Sequence, residues 1–239
     1  LHHRSGRKVS LVGWSLGGYI ALLAPEVRNQ GAVIAQMGTV ALASGEAIDL
    51  KFDSNNRLTS LRVEPSQIQA LVDNQHAVQA PGGLVIISAQ SMDRLLGGVV
   101  RNSGAIEATG LQSEGGRIVL SASTKVDNSG TLNASSATAQ GGSISLQGEH
   151  IHLEGSSRID ASGANGGGTV LVGGNWQGSQ DPLLQATGQS TQAATTVTMD
   201  AGASIDASAT VRGDGARVVL RSDVQKPDSV TTAQGSVLA

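Results

Sequence analysis

The chain has 239 residues, no cysteine and a formal net charge of −3. Disulfide scaffolds, thiol catalysis and cysteine-based zinc sites are therefore excluded, and no basic block indicates binding to nucleic acid or to an anionic membrane. Glycine is abundant, with 32 residues, whereas the aromatic residues are two Trp, one Tyr and one Phe. A core built from Val, Ile, Leu and Ala favours thin stacked layers over a bulky globule. No apolar run is long enough to span a bilayer, so we expect no membrane span.

The first motif along the chain is Gly13-Trp14-Ser15-Leu16-Gly17, a match to G-x-S-x-G. In α/β-hydrolases this pattern forms a sharp turn between a strand and a helix and exposes a nucleophilic serine. An apolar strand-like run precedes the motif, and the helix-compatible run YIALLA follows it. However, Pro25 comes too early for a normal helix after such a turn. A serine hydrolase acting through Ser15 is the alternative to a non-catalytic protein.

A repeated unit occupies most of the remaining chain. The first five copies open on two adjacent glycines and the sixth on Gly215-Ala216; alternating apolar residues follow, and then two more short strands separated by tight corners. The glycine pairs at 115, 141 and 167 lie 26 residues apart. A flat unit of this kind cannot bury its apolar face alone, so its copies must stack. The copies begin at Gly17, Gly82, Gly115, Gly141, Gly167 and Gly215.

Stacked copies predict an all-β fold, a right-handed parallel β-helix (solenoid) with short helical and hairpin excursions. Period-2 alternation places Ile118 and Ile144 inward on successive turns and leaves Arg117 and Ser143 outward. A β-sandwich is the alternative, since it also uses many short strands. Sandwich strands do not normally repeat one small-residue signature at a fixed spacing, which favours the β-helix.

The corners of the predicted coil carry their own pattern. Glycine at a corner supplies backbone conformations with positive φ. Asn29, Asn102 and Asn128 hold one corner position in three copies. Asparagine tolerates left-handed geometry and can form side-chain ladders between stacked strands. The repeat also aligns residues 19–22 with residues 117–120, which predicts a strand directly after the G-x-S-x-G motif.

The predicted domain organisation follows from which parts of the chain match the repeat pattern. Residues 1–16 are an atypical lead-in, residues 17–224 are the β-helix repeats, and residues 225–239 are a polar C-terminal tail. Excursions are predicted at 46–81 and at 173–200.

Within the first excursion, we predict a hairpin around Asn55-Asn56 in the segment LKFDSNNRLTSLRV. PSQIQALVDNQ reads as a short helix beginning at Pro65, which either packs on the solenoid or offers a partner surface. SMDRLLGGVV, at 91–100, is a candidate for a further helical turn. The second excursion is polar and carries Trp176, either as an exposed contact residue or as a cover for the flank of the solenoid.

Sites for metals, cofactors and catalysis are not indicated by the sequence. The calcium-binding G-G-x-G-x-D pattern, H-E-x-x-H and the P-loop are missing. Asp160, Asp206 and Asp214 lie in different contexts, and His150 and His152 flank Ile151, so both should face outward. His76 lies in a polar loop. We therefore predict no catalytic, cofactor-binding or metal residues, although paired carboxylates of a glycan-active β-helix enzyme stay open as an alternative.

The ordered set of repeats resembles the filamentous-haemagglutinin-like exoproteins of two-partner secretion. GGYIALLAPEVRNQGAVIAQMGTVALASGEAIDLKF and GGRIVLSAS…GTLNAS are similar to the later part of their secretion domain. GGTVLVGGNWQG, followed by TTVTMDAGASIDASA…GDGARVVLRSD, is similar to the block after it. The resemblance covers residues 17–224.

This resemblance implies secretion through a partner outer-membrane β-barrel transporter, which exports the unfolded chain to fold outside the cell. It implies a non-catalytic, adhesin- or haemagglutinin-like binding or stalk module associated with the Gram-negative cell surface. The implied receptor is a glycan or a protein on a host or neighbouring cell. The chain starts LHHRSGRK without a signal peptide, so we expect it to be a fragment of a longer exoprotein.

Overall fold

The computed structural model describes residues 11–13, 18–55, 57–93, 97–110, 115–189 and 191–239. Almost all regular structure in these residues is β-strand. The strands are β1 Leu11–Gly13, β2 Tyr19–Leu23, β3 Glu26–Asn29, β4 Val33–Ala35, β5 Thr39–Ser44, β6 Ala47–Phe52, β7 Leu58–Glu64, β8 Ala70–Asn74, β9 Ala77–Gln79, β10 Leu84–Ala89, β11 Gly98–Asn102, β12 Ala105–Glu107, β13 Arg117–Ala122, β14 Lys125–Asn128, β15 Thr131–Asn133, β16 Ser143–Gln147, β17 His150–Leu153, β18 Arg158–Asp160, β19 Thr169–Val172, β20 Thr196–Met199, β21 Ser204–Asp206, β22 Arg217–Leu220, β23 Val230–Ala233 and β24 Ser236–Leu238. A 3₁₀ turn spans Trp176–Gly178, and one short helix, α1, spans Pro182–Thr187.

The strands coil into a solenoid with three parallel sheets. The first sheet has the order β2-β5-β10-β13-β16-β19-β22, the second runs from β3 to β23, and the third runs from β1 to β24. Every pairing between successive turns is parallel, and each turn gives one strand to each sheet in that sequence. The described residues thus trace seven turns, with β1 added below β4. The predicted parallel β-helix is confirmed.

A single column of aliphatic side chains fills the coil. Ile118 pairs in register with Ile144 and both are buried, whereas their neighbours Arg117 and Ser143 face outward. The strand after the G-x-S-x-G motif keeps the same register, because Ile20 pairs with Val40 across β2 and β5. The predicted inward and outward faces are therefore confirmed. Each turn buries its apolar residues only by contact with the turns above and below it.

A column of glycines explains the glycine pair that opens the first five copies of the repeat. The second glycine of the pair lies at the corner between the third and first sheets, where successive turns approach closely. A Cβ atom on Gly142 would lie 2.1 Å from the Gly116 carbonyl oxygen, and one on Gly116 would lie 1.4 Å from that of Ala108. Close approach, rather than the expected positive φ, selects glycine at these two positions. Positive φ applies elsewhere, as at Gly82 with a φ of 68°.

A ladder of buried side-chain amides runs along another corner. The Asn29 Nδ2 donates to the Asn74 Oδ1, the Asn74 Nδ2 to the Asn102 Oδ1, and the Asn102 Nδ2 to the Asn128 Oδ1, each at 2.7 Å. The Asn128 Nδ2 donates to the Ser157 Oγ at 2.6 Å and ends the ladder. The predicted ladder position is thus confirmed, and Asn74 is an additional member that the repeat alignment missed.

The predicted helix at Pro65 is wrong. Residues 70–74 form β8, which pairs with β3 on one side and with β11 on the other, and β9 follows directly. Ile68, expected on a packed helical face, is 62% exposed. Pairing with two neighbouring strands outweighs the local helical spacing. The excursion is therefore limited to the β6–β7 hairpin, and the solenoid resumes before residue 81.

Other predicted boundaries also change. Residues 230–238 are the paired strands β23 and β24 of the last turn, so a polar tail over 225–239 is wrong for these residues. The second excursion ends before β20 instead of at residue 200. Residues 98–102 form β11 in place of a helical turn, while Arg94-Leu95-Leu96 lie outside the described residues. In the lead-in, β1 pairs with β4, and residues 1–10 and 14–17 lie outside the described residues.

Charge placed on the inner face tests the register. Ile118→Asp or Ile144→Asp should lower the free energy of unfolding by more than about 3 kcal/mol, because each buries an unpaired carboxylate in the aliphatic column. Arg117→Asp and Ser143→Asp are the matched outward controls and should change it by less than about 1 kcal/mol. Urea denaturation measures all four. Equal losses at the four positions would mean that the assignment of the two faces is wrong.

The amide ladder is tested by a nearly isosteric change. Asn102→Asp keeps the acceptor for the Asn74 amide but removes the donor to the Asn128 Oδ1 and buries a charge. We expect a loss of about 2–4 kcal/mol in the free energy of unfolding. Asn55→Asp, in the exposed hairpin turn, is the control and should stay within about 0.5 kcal/mol. A tolerated Asn102→Asp change would show that the ladder does not contribute to stability.

Candidate functional surface

The two excursions meet on the outer face of the first sheet. The first is the β6–β7 hairpin, and the second, here called the strap, comprises residues 173–189 and 191–193. A second apolar cluster forms where the hairpin covers the sheet, with Leu58 and Leu61 packed against outward residues such as Ala41 and Ile86. The Thr39 Oγ1 also donates to the Leu58 carbonyl oxygen at 2.7 Å. The sheet is therefore buried on both faces in this region, which its nearly continuous apolar strands require.

Asp181 anchors the strap to the solenoid. Its carboxylate is buried, and the Oδ1 accepts the Leu183 backbone N–H at 2.8 Å, which caps α1. Its Oδ2 accepts the Ser145 hydroxyl from the outer face of β16 at 2.5 Å. Pro182 begins the helix and Gly188, with a φ of 74°, ends it. One carboxylate thus fixes both the start of the helix and its position on the sheet.

The strap also ties the hairpin to the middle turns. The Gln189 Nε2 donates to the Leu61 carbonyl oxygen of the hairpin. The Gln192 Nε2 donates to the Ser123 carbonyl oxygen at 3.1 Å, and its backbone N–H donates to the Gln147 Oε1 at 3.1 Å. These contacts join segments that lie between 45 and 128 residues apart in the chain. No local pattern signals them, so sequence reasoning missed this junction.

Trp176 lies on the opposite half of the strap. Its side chain is 66% exposed, so it does not cover the flank of the solenoid, and that reading is wrong. The Asn175 Oδ1 accepts the Trp176 backbone N–H at 2.8 Å, and the Arg221 Nη1 donates to the Asn175 carbonyl oxygen at 3.4 Å. The strap therefore has a buried anchoring half and an exposed half that presents an indole ring.

Ser15 lies outside the described residues, but the segment that follows it is described. Tyr19–Leu23 is strand β2, paired in parallel with β5, whereas a nucleophile elbow requires a helix at this point. His150 and His152 face outward on the second sheet, as predicted. The His150 Nδ1 lies 2.9 Å from the Thr196 Oγ1, and the His152 Nε2 lies 2.9 Å from the Asp200 Oδ2. This local fold gives no support to the hydrolase alternative.

The aspartates considered for metal binding serve as turn residues. The Asp160 Oδ1 accepts the backbone N–H and the hydroxyl of Ser162, and the Asp206 Oδ1 accepts the same two groups of Ser208. Asp214 is exposed in a loop. Within the described ranges, no group of three or more His, Cys, Asp or Glu side chains is placed to hold a metal ion. No helix in the same ranges is long and apolar enough to cross a membrane.

The outer face of the second sheet carries an alternating column of charge that sequence reasoning missed. The strand register stacks Arg28, Asp73, Arg101, Asp127 and His152 on successive turns. The Lys125 Nζ adds an ion pair with the Asp127 Oδ1 at 3.0 Å. Alternating signs avoid like charges directly opposite each other. The column becomes visible in the sequence only when the turns are aligned at their true lengths, which the hairpin insertion obscures.

The anchoring role of Asp181 can be measured directly. Asp181→Ala removes the helix cap and leaves the Ser145 hydroxyl without its partner, so we expect a loss of about 2–3 kcal/mol in the free energy of unfolding. Proteinase K should also cut the strap at least about fivefold faster, since cleavage tracks local opening. Asp228→Ala, at an exposed position, is the control. Unchanged cleavage in Asp181→Ala would contradict the proposed anchor.

Comparison with known proteins places this fold. The TPS secretion domain family model matches residues 8–134, more than half of the chain. No curated protein sequence is significantly similar to the chain. Among solved structures, the chain is similar to the HMW1 secretion domain from Haemophilus influenzae, with a TM-score of 0.67 and 20% sequence identity. The match covers 93% of this chain and 63% of that one, so the chain spans less than two thirds of the solved domain.

The family match covers the first four turns of the coil, from before β1 to Ala134 after β15, and the structural match extends the same fold over almost the whole chain. Both agree with the resemblance carried by the glycine-opened repeats. The chain belongs to the TPS secretion domain family and is a segment of a two-partner-secretion exoprotein.

Proposed function

We propose that this chain is part of an adhesin-like exoprotein, exported by a partner outer-membrane β-barrel transporter and acting at the cell surface as a non-catalytic binding or stalk module. The observation that carries the proposal is continuity. All three sheets of the solenoid continue from the family-matched residues 8–134 through three further turns to β24, with the strap inserted between β19 and β20. A secretion module that passes directly into a rod suits a protein that is exported and then extends from the cell.

The topology supports export of an unfolded chain. Each turn pairs only with its neighbours, so folding can proceed turn by turn as the chain emerges. The absence of cysteine means that no disulfide has to form on either side of the envelope. Among the described residues, the contacts between the hairpin and the strap join residues far apart in the chain. They can therefore form only after both segments have emerged, over turns that are already stacked.

The outer surface supports extended binding. The outer column of the second sheet carries a charged, imidazole or hydroxyl side chain on every turn from Arg28 to Thr232. In the described part of the chain, the hairpin and α1 pack on the first sheet and on each other instead. Such a face suits contacts with a glycan or a polar protein surface on a host or neighbouring cell. Receptor binding would thus use repeated surface contacts rather than one deep pocket.

Export is tested in the bacterium that produces the exoprotein. Deleting the transporter gene of the same system should remove the exoprotein from the surface and the medium, and adhesion to target cells should fall to the level of an exoprotein deletion. Reintroducing the transporter should restore both, and an unrelated outer-membrane protein is the control. Normal surface exposure without the transporter would overturn the proposed route. Normal adhesion after deletion of the exoprotein would overturn the adhesin role.

The non-catalytic assignment has its own test. A fluorophosphonate probe, which labels activated serines, should leave the 239-residue chain unlabelled under conditions that label a serine hydrolase completely. The expected reason is that β2 replaces the helix of a nucleophile elbow. Labelling of the chain that is lost in Ser15→Ala would contradict the assignment and support the hydrolase alternative.

A further inference from the structure

Trp176 is unusual because it is one of the few aromatic residues of this chain and its side chain is largely exposed. The protein has only two Trp, one Tyr and one Phe, and its core contains none of the aromatic rings that the structure describes. Trp176 nevertheless leaves 66% of its surface open to solvent. The other half of the strap, by contrast, buries Asp181, Leu184 and Thr187 almost completely. Exposed tryptophans on rigid supports are frequent binding anchors.

The loop that carries Trp176 is fixed in place. Asn175 is 5% exposed, caps the turn through its Oδ1, and donates from its Nδ2 to the Gln180 carbonyl oxygen at 3.1 Å. Gln177 adopts a left-handed conformation with a φ of 53°, which is unfavourable for a residue with a Cβ. The Arg221 guanidinium packs so closely on Gly178 that a Cβ there would lie 3.1 Å from it. Strain retained by several contacts is characteristic of preorganised sites.

A shallow cleft of about 570 Å³ lies beside the indole. Its lining is the Asn175–Trp176 turn, Ser179, Ala216 and the first three residues of β22, 217–219. Arg217 is exposed here, and its guanidinium makes no ion pair or hydrogen bond within the described residues. The indole N–H of Trp176 likewise has no partner in the same ranges. The cleft therefore combines a flat aromatic face with unused hydrogen-bond donors and one unpaired positive charge.

We propose that Trp176 and Arg217 bind a carboxylate-bearing sugar residue of a surface glycan. The C–H face of a pyranose ring can stack on the indole, while the guanidinium donates two parallel hydrogen bonds to a carboxylate. Apart from the indole, the apolar lining consists of the short side chains of Ala216, Val218 and Val219, which disfavours a large hydrophobic peptide anchor. This proposal deepens the proposed function and rests on it, since it names the chemistry of one receptor contact.

Fluorescence of Trp176 reports binding in the 239-residue chain, because Trp14→Phe leaves it as the sole tryptophan. The probes are sialyllactose, an unsulfated chondroitin disaccharide that carries a uronate, and neutral lactose. We expect at least one acidic sugar to quench the indole with a Kd on the order of 1 mM, and lactose to bind about tenfold more weakly. The better acidic ligand identifies the source of the carboxylate as sialic or uronic acid.

Variants separate the two contacts, with sugar binding followed by saturation-transfer NMR of the ligand. Trp176→Ala should abolish binding, whereas Arg217→Ala should remove the roughly tenfold preference for acidic sugars while keeping weak binding of lactose. Arg57→Ala and Val224→Ala are exposed controls on other loops and should leave binding unchanged. Circular dichroism confirms that each variant is folded.

Three results would overturn the site: no response to either acidic sugar up to about twenty times the expected Kd, equal binding of lactose, or unchanged binding in Trp176→Ala. If the site fails while transporter-dependent export and adhesion persist, the proposed function stands with its receptor contact elsewhere. If export or adhesion also fails, the proposed function falls independently of this site.

Discussion

Parallel pairing between successive turns is the constraint on which the rest of this structure depends. A shift of one residue in any strand would move its apolar residues to the solvent side, so the register must hold in all three sheets at once. Two internal devices specify it. The glycine column, including Gly116 and Gly142, permits the turns to approach closely, and the asparagine ladder from Asn29 to Asn128 supplies buried amides with partners only when turns align. Stability is thus shared between neighbours rather than concentrated in one core.

The excursions convert this uniform rod into a molecule with distinct faces. The hairpin and the strap close the outer face of the first sheet with a second apolar layer, whereas among the described residues neither packs on the charged second sheet. Because Asp181 and Gln189 hold the strap against both sheet and hairpin, its free half can present Trp176 in one orientation. In the proposed function, the scaffold would serve export and rigidity, and the irregular segment would serve recognition. This division of labour is usual in solenoids, where binding residues lie on insertions between repeats.

Sequence reasoning recovered the turns with a clear repeat pattern, and it missed turns where that pattern is interrupted or weak and contacts that lie outside the repeat. The inward register at Ile118 follows from strict alternation, which stacking of equivalent turns preserves. The helix predicted after Pro65 was wrong because apolar residues at helical spacing also suit a strand that is buried between two neighbouring strands. The prediction missed the strands at 230–238 because they are short and exposed, and only their pairing with the previous turn defines them. The contact of Gln189 with Leu61 joins distant segments through single hydrogen bonds, for which a lone sequence holds no signal.

The stacking of turns in one parallel register is most directly tested by one distance along the solenoid axis. Glu26 and Val230 occupy equivalent outward positions at the two ends of the second sheet, six strand spacings apart. The chain has no native cysteine, so Glu26→Cys and Val230→Cys can carry two spin labels whose separation is measured by pulsed electron–electron double resonance. The parallel β-helix predicts a narrow distribution centred at about 29 Å, from a spacing of about 4.8 Å between strands. A broad distribution, or a centre displaced by more than about two strand spacings, would contradict the stacking of turns in this register.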